Sequence, residues 1–343
     1  MLVVALLGVL FTAFSGTVRT PVFALGPDGM RQRVFVTDAA GHRVPAVQVR
    51  NKFLNAQNLA QLAKDTSFIA IMAVGMSVVI IAGGIDLSVG AIYALASVLG
   101  ATVLHRYGPE GAGGGAPWAG VALGVAACLG TGALCGLLNG GLIVALRVHP
   151  FIVTLGTMAI LRGLAFVVTT GQSIGGFPAD FRELVRYEIG PGLTLVPLLV
   201  TVLVAAAGAV YLGRLAAGRR VYAVGGNELA ARFSGIRVAR VKLGVYLLSG
   251  LAAGIAALIS LGYYGAATSG DGQGYELNVI AAAVVGGASL AGGRGTAFGA
   301  VLGALVIQMI GSGIIILGID QNYSQIIIGA VVIAAVVLDN LNS

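Results

Sequence analysis

Few polar side chains interrupt the apolar runs of this chain, and the ionisable ones among them are where chemistry could reside. Asp86 stands in Gly83-Gly84-Ile85-Asp86-Leu87-Ser88-Val89-Gly90, a glycine-broken join between two apolar runs. A carboxylate there can cap a new helix by accepting its backbone N–H groups and by meeting the positive end of its dipole. It can equally serve proton, ion or substrate chemistry, because an ionisable group left in hydrocarbon costs about 3 kcal/mol unless it is satisfied. Ser88 offers a hydroxyl beside it. Arg162 shares one run with Thr154 and Thr157. It either lines a pathway, or snorkels, or pairs with a carboxylate such as Asp86 or Glu276. Asn139, Asn278 and Gln308 are uncharged amides within apolar runs, where interhelical hydrogen bonding is the simpler use.

Covalent chemistry finds less support. Gly171-Gln172-Ser173-Ile174-Gly175 matches the nucleophile-elbow pattern, which needs a strand–turn–helix context and a triad histidine. Here the match follows an apolar run, and His42, His105 and His149 lie outside such runs or at their edges. A phosphate-binding loop requires lysine after glycine, and Lys52, Lys64 and Lys242 follow Asn51, Ala63 and Val241. Cys128 and Cys135 share one helix face two turns apart, too far for a disulfide with each other. No Cys/His spacing matches a metal site. The expectation is no catalytic residue, no metal and no cofactor.

The elements that hold these residues follow from composition. Hydrophobic residues make up 57% of the 343, charged residues only 10%, and glycine supplies 54. Mean hydropathy is +0.96. A soluble domain carries roughly 25% charged residues. A water-soluble enzyme, a disordered chain and a nucleic-acid-binding chain are excluded on this ground. A bilayer-crossing helix needs about 20 apolar residues. The chain divides into about ten candidates, at 1–17, 67–83, 88–104, 118–145, 150–170, 191–213, 243–262, 276–291, 296–317 and 323–338. Several are short, and two joins, Gly83-Gly84-Ile85-Asp86 and Gly292-Gly293-Arg294-Gly295, are tight. Short, glycine-broken spans are tolerated where protein or a water-filled cavity covers the freed backbone. The expected fold is an all-α polytopic membrane protein with broken helices, a single domain over 1–343. The first span lacks a basic n-region and a clear cleavage site, so it is expected to be a retained helix, with the start codon placed late.

Basic residues set the orientation. The 214–242 connection carries Arg214, Arg219, Arg220, Arg232, Arg237, Arg240 and Lys242 against one acid, Glu228. Placing it in the cytoplasm places Arg147, Arg294 and both termini there. The outer loops then hold Arg106, Arg182 and Arg186. Residues 17–66 also fall outside, yet carry seven basic residues, so charge alone ends in a tie. Within that segment Val34–Thr37 and Val44–Val49 alternate around Asp38-Ala39-Ala40-Gly41-His42-Arg43, which predicts a small hairpin. Such a hairpin needs a surface to lean on. Gly111 to Gly115, with Pro117, predict a flexible loop.

The basic connection holds a second element. Asn227 is placed to cap a short helix and Glu228 to complement its dipole, with Gly225-Gly226 before it. Leu229, Ala230 and Phe233 share a face, Ala231 follows Ala230, and Ser234-Gly235 ends the turn. A short amphipathic helix of this kind lies on anionic lipid or inserts into a partner's groove. A weak internal repeat lays Gly83-Gly84 with Gly90-Ala91 on Gly292-Gly293 with Gly299-Ala300, or alternatively on Gly286-Gly287.

Four stretches together carry a family resemblance. They are Ala73-Val74-Gly75-Met76 through Val89-Gly90; Asn139-Gly140 through His149-Pro150-Phe151-Ile152-Val153-Thr154-Leu155-Gly156-Thr157-Met158 and Arg162-Gly163; Gly218-Arg219-Arg220-Val221-Tyr222-Ala223-Val224-Gly225-Gly226-Asn227-Glu228 to Ser234-Gly235-Ile236; and Gly286-Gly287 through Gly292-Gly293-Arg294-Gly295-Thr296. Over about residues 51–340 the chain resembles the permease subunits of bacterial ABC importers for ribose, xylose, galactose and related sugars.

The resemblance implies a dimer of permeases in the bacterial inner membrane, with itself or a related chain. It implies two cytoplasmic ABC ATPase subunits and an extracytoplasmic sugar-binding protein. The stretch 225–235 would dock on the ATPase, which breaks the orientation tie and makes 214–242 a cytoplasmic coupling loop. Asp86, Ser88, Asn139, Thr154, Thr157, Arg162, Glu276, Asn278 and Gln308 are the candidates for shaping a sugar pathway. Residues 18–50 depart from the pattern and read as an extracytoplasmic insertion, a hairpin touching the binding protein. Two rival readings stand beside this one. An ion-driven secondary transporter would use Asp86 and Glu276, and an intramembrane enzyme would be built around Ser173. Permeases for nucleosides, branched-chain amino acids or a sugar-like autoinducer are closer alternatives.

Overall fold

The computed structural model describes residues 1–25, 30–38, 41–109, 111, 117–190, 192–320 and 322–341. Thirteen helices carry the described residues: α1 Leu2–Phe14, α2 Ala56–Ile81, α3 Val89–Arg106, α4 Pro117–Leu146, α5 Pro150–Thr169, α6 Ala179–Val185, α7 Leu195–Arg214, α8 Ala216–Gly226, α9 Glu228–Phe233, α10 Val238–Tyr264, α11 Tyr275–Val285, α12 Ala297–Ile316 and α13 Tyr323–Leu341. Among the described residues, seven (α2, α3, α4, α5, α7, α10 and α12) are long and apolar enough to cross a bilayer. Of the other expected spans, α1 and α11 are apolar but shorter, at 13 and 11 residues.

The centre of the bundle is α2. Its apolar window is 94% buried, against 17% for α5 and α7, whose Leu, Ile and Val side chains face outward. Because α2 is apolar all round from Phe68 to Ile81, it has no face to give to solvent, and α7, α10, α11 and α12 wrap it. Beside it α4 and α10 approach backbone to backbone. Gly132 and Gly136 of α4 lie against Gly250 and Gly254 of α10, and a Cβ on Gly132 or Gly250 would fall on the other's carbonyl. Small residues four apart on both helices permit this approach, which hydrocarbon surroundings favour through close packing.

Three expected boundaries move. The second span begins at Ala56 and not near 67, with Asn55 as its cap accepting Asn58 N at 2.9 Å. Residues 56–66 are too polar to read as a span, but protein covers them: Lys64 is 3% exposed, with its ammonium 4.2 Å from the Tyr263 ring centre. The seventh starts at Val238, five residues early. The eighth ends at Val285 and not 291, because Gly286 terminates it and Gly287 turns with φ +93°. The stretch to Thr296 then returns as a loop to cap α12, where Thr296 Oγ1 accepts Gly299 N at 2.9 Å.

The chain is mostly helical, as expected, with a few short strands. Residues 17–51 form three antiparallel ribbons: Thr17–Pro21 with Val47–Asn51, Phe23–Leu25 with Arg31–Arg33, and Phe35–Thr37 with Arg43–Pro45. The expected hairpin exists in part. Val36 pairs with Val44, whereas Val47 and Val49 leave that ladder for Pro21 and Arg19. The ribbons meet at three residues spaced twelve apart. Val22 N–H donates to Ala46 O, Ala46 N–H to Val34 O, and Val34 N–H to Val22 O, at 2.9, 2.7 and 2.9 Å. The neck is tied by Asn51, whose amide donates to Thr12 O at 2.8 Å and whose Oδ1 accepts from Ser15 Oγ and the N–H groups of Phe53 and Leu54. Ala39 and Ala40 of the expected turn, and 112–116 of the expected glycine loop, lie outside the described residues.

Candidate functional site

Asp86 sits where the chain turns from α2 to α3, and it is fully buried. The turn is dictated locally, since Gly83 takes φ +77° and Gly84 approaches the Tyr246 hydroxyl so closely that a Cβ would clash. Asp86 Oδ1 accepts Ser88 Oγ at 2.6 Å and Ser88 N at 3.1 Å, while Oδ2 accepts Ser249 Oγ at 2.9 Å. Asn139 of α4 donates to Ser88 Oγ at 2.7 Å and lies 3.5 Å from Asp86 Oδ1. The carbonyl of Ile85 accepts Tyr246 Oη at 3.1 Å, and Thr154 of α5 reaches it at 3.4 Å.

Four of the expected pathway residues, Asp86, Ser88, Asn139 and Thr154, therefore converge. They form a hydrogen-bonded knot joining α3, α4, α5 and α10, in which the carboxylate is satisfied. The capping expectation needs one adjustment. Asp86 holds the N-cap residue Ser88 and does not itself bond the N–H groups of the first turn of α3.

Arg162 is not part of this knot. Its Nη1 donates to the carbonyls of Asp271 and Ser269, at 2.6 and 3.1 Å, and among the described residues it forms no ion pair with Asp86 or Glu276. The α10–α11 loop presents those carbonyls because Asp271 folds it back, accepting Thr268 Oγ1 at 2.7 Å and Thr268 N at 3.1 Å. Arg162 and Glu276 do line one cavity of about 380 Å³, with Gln273 and Ser269. Glu276 Oε2 is buried there without a hydrogen-bond partner. Thr157 turns onto its own helix, donating to Thr154 O at 3.2 Å.

Asn278 and Gln308 meet elsewhere, in a cavity of about 500 Å³ at the N-terminal end of α2. The wall facing them is Asn58, Gln61 and Asp65, with Tyr264 and Tyr275 beside it. Gln61 Nε2 donates to Asp65, at 3.0 Å to Oδ2, and Ser312 Oγ to Asn58 Oδ1 at 3.2 Å. These residues were not among the sequence candidates. The signal was present: 58, 61 and 65 are spaced to share one helix face, but the stretch lay outside the apolar run. Amides and aromatic rings around a volume of this size suit a small polar solute. Among the described lining residues Asp65 is the one that is charged.

At the opposite end of α2, roughly 30 Å away by helix rise, lies the basic connection. It folds as α8, then α9 after a single residue, Asn227. Asn227 Oδ1 accepts Ala230 N at 2.9 Å, the expected cap. Glu228 accepts Lys242 Nζ at 2.7 Å and Arg232 Nη2 at 3.0 Å. The Lys242 hydrogen bond holds the Glu228 carboxyl below the usual carboxylate range. The expected face of Leu229, Ala230 and Phe233 turns outward, with Leu229 and Phe233 63% and 83% exposed, whereas Ala231 packs inward with Val224 and Val238. Ser234 Oγ donates to Ala230 O, and Gly235 ends the helix at φ +82°. Gly225 is wedged where a Cβ would overlap the Ile81 carbonyl and lie 2.7 Å from Gly293 N. Gly226 beside it has open space.

Ser173 lies in a helix–turn–strand setting. Ile174–Gly175 pairs with Ala266–Ala267, and His105 Nδ1 is bonded to the Gly175 carbonyl at 2.6 Å. That geometry is not a nucleophile elbow. Cys128 and Cys135 are buried and free.

Residues 58–336 match the family described as branched-chain amino acid transport system / permease component. The chain is 38% identical over 290 residues to the ribose import permease protein RbsC of Escherichia coli (strain K12), covering 84% of this chain and 87% of that one. It is 40% identical over 297 residues to the ribose import permease protein RbsC of Bacillus subtilis (strain 168), covering 85% and 87%. It is 37% identical over 294 residues to the D-allose transport system permease protein AlsC of Escherichia coli (strain K12), covering 85% and 86%. No solved structure matches.

Proposed function

The chain belongs to the branched-chain amino acid transport system / permease component family, and on that premise we propose that it is the membrane-spanning permease subunit of an ATP-driven importer for a monosaccharide. Its role is to supply a path that opens alternately to the two faces of a bacterial plasma membrane. ATP is bound and hydrolysed by a separate cytoplasmic subunit, and sugar is delivered by an extracytoplasmic binding protein. The assembly contains a second permease copy, and its outward faces on α4, α5 and α7 meet that copy or lipid.

The observation that carries the solute class is the cavity at the N-terminal end of α2. A branched-chain amino acid would bring a carboxylate and an ammonium, but the described lining holds one acid, Asp65, and no cation. Amides of Asn58, Gln61, Asn278 and Gln308 beside Tyr264 and Tyr275 suit a neutral polyhydroxylated ring. The cavity with Arg162 and Glu276 then forms a second part of the path. Asp86, Ser88, Asn139 and Thr154 stabilise the helix break beside it and do not contact sugar.

On this reading ten helices span, counting α1, α11 and α13 with the seven long ones, and both termini face the cytoplasm. Residues 1–343 are one permease domain, 214–242 its cytoplasmic coupling loop and 18–50 an extracytoplasmic insertion. The exposed Leu229 and Phe233, held on a capped and ion-paired short helix, support docking of α9 in a groove of the ATPase. Gly225, Gly226, Asn227, Glu228, Ala230, Ala231, Phe233, Ser234 and Gly235 shape that element.

The test is reconstitution in liposomes with its ATPase and binding protein, followed by uptake of labelled pentoses and hexoses. The expected result is uptake that requires ATP and both partners. Uptake that persists without the ATPase and collapses with an ion gradient would overturn the assignment.

A further inference from the structure

Three arginines of the basic connection have no side-chain partner among the described residues. The side chains of Arg220 on α8, Arg237 at the N-cap of α10 and Arg240 in its first turn form neither a hydrogen bond nor an ion pair with any described residue. All three line one cavity of about 730 Å³, and no acid lines it. The neighbouring cavity, which shares Arg237, differs in holding an acid, since Glu228 pairs there with Arg232 and Lys242. Three like charges gathered around one space repel each other unless an anion sits among them.

Apart from Ser234 the rest of the cavity wall is apolar or glycine, and part of it belongs to the spanning helices. Tyr211 near the end of α7, and Val241 and Gly244 one turn into α10, form its inner side. The cations are therefore at the rim and the apolar surface leads inward, at the level where the two helices leave the apolar layer. About a quarter turn round α7 from Tyr211, an exposed apolar strip runs through Val210, Leu203 and Leu199, positions that share a helix face.

We propose that this cavity binds the phosphodiester headgroup of an anionic phospholipid, with an acyl chain lying along the α7 strip. Free phosphate would satisfy the arginines but has no use for the apolar wall. An acidic protein surface would meet the arginines but leave the apolar inner wall and the α7 strip unused. The fit is that of an interfacial lipid, whose charge and chain are needed together. The site concerns binding alone and stands whether or not the chain transports sugar.

The experiment uses the purified full chain in a neutral detergent and follows its thermal-unfolding midpoint during titration with phosphatidylglycerol, phosphatidylcholine or inorganic phosphate. Phosphatidylglycerol is expected to raise the midpoint saturably, and the other two are not. In the variant R220Q/R237Q/R240Q the half-saturating concentration should rise at least about tenfold, equivalent to 1.4 kcal/mol of binding free energy. The charge-matched variant R19Q/R43Q/R50Q should bind as the wild type does. If the first variant folds poorly, Ala217→Glu places a carboxylate among the same arginines and should have the same effect. The proposal is overturned if the site variants keep full affinity, or if inorganic phosphate or phosphatidylcholine reproduces the shift.

Discussion

The backbone N–H of Gly293 donates to the carbonyl of Ile81 at 2.9 Å, joining the loop before α12 to the last residue of the central helix. Gly225 of α8 packs against both. The end of the buried α2, the break between α11 and α12 and the element before α9 thus meet without an intervening side chain. A displacement of α8 is passed directly to two helix breaks, since packed interiors shift as units and do not deform smoothly. Tyr222 adds a second tie, donating to Gly295 O at 2.8 Å.

Gly225→Ala should therefore impair both stability and coupling. Its Cβ must push α8 off the Ile81 carbonyl, at a cost of about 1–3 kcal/mol. Gly226→Ala, with open space around it, should leave the thermal midpoint unchanged. Comparing the two by thermal unfolding and by ATP-driven uptake tests the contact. Equal behaviour of the two variants would contradict it.

Docking of α9 should show a particular pH dependence. Glu228 is held below its ordinary value of 4.5, first by the Lys242 hydrogen bond, so its carboxylate forms contribute above the unfolded-state value and are lost as pH falls through the lower folded value. Co-purification with the ATPase should therefore be flat from neutral pH down into the usual carboxylate range and weaken only at more acid pH. In Glu228→Gln this acid-limb dependence should vanish. Since Glu228 is 42% exposed, screening limits the stability loss to about 1 kcal/mol or less. Glu228→Arg, which repels Lys242 and Arg232, should abolish co-purification while the permease still folds.

Asp86 makes a structural prediction. Asp86→Ala leaves the hydroxyls of Ser88 and Ser249 and the Asn139 amide short of an acceptor, and should cost about 3 kcal/mol. The loss would appear as a lowered unfolding midpoint in detergent. An unchanged midpoint with abolished transport would instead make Asp86 a pathway residue.

In the cavity at the N-terminal end of α2, Asn278→Leu and Gln308→Leu should each lower uptake about five- to thirtyfold, the equivalent of one lost hydrogen bond of 1–2 kcal/mol. Folding should be retained because neither amide has a partner on which the fold rests. Uptake at the wild-type rate in both variants would remove the cavity from the path.

The ribbon segment can be removed where its strands already face each other. Arg19 and Val49 are paired, so residues 20–48 can be replaced by an Asn-Gly turn without disturbing the Asn51 neck. The helical body should fold normally, and affinity for the binding protein should fall. Undiminished affinity would show that the ribbons serve another purpose.

What the sequence made legible was local. The break at Gly83-Gly84, the Asn227 cap and the turn at Gly235 each depend on residues within a few positions of each other. The Asp86 cluster was only half legible, because Asn139 and Ser249 reach it from 53 and 163 residues away. Arg162 could have met either of two acids; folding of the 268–271 loop gave it carbonyls instead. The start of α2 was missed because Asn58, Gln61 and Lys64 are polar, and only the tertiary structure shows what shelters them. The ribbon pairing was misjudged beyond Pro45, since nothing near Val47 announces that its partner is Pro21.

The closed ring of hydrogen bonds among Val22, Val34 and Ala46 has a consequence for how such a segment is inherited. Removing one ribbon would strand a donor and an acceptor at the bases of the other two, each then short of a partner. No truncation by one ribbon is a stable intermediate. A lineage can gain or lose residues 18–50 only in one piece, and length changes among its descendants should be confined to the two loop tips, between Leu25 and Arg31 and between Thr37 and Arg43.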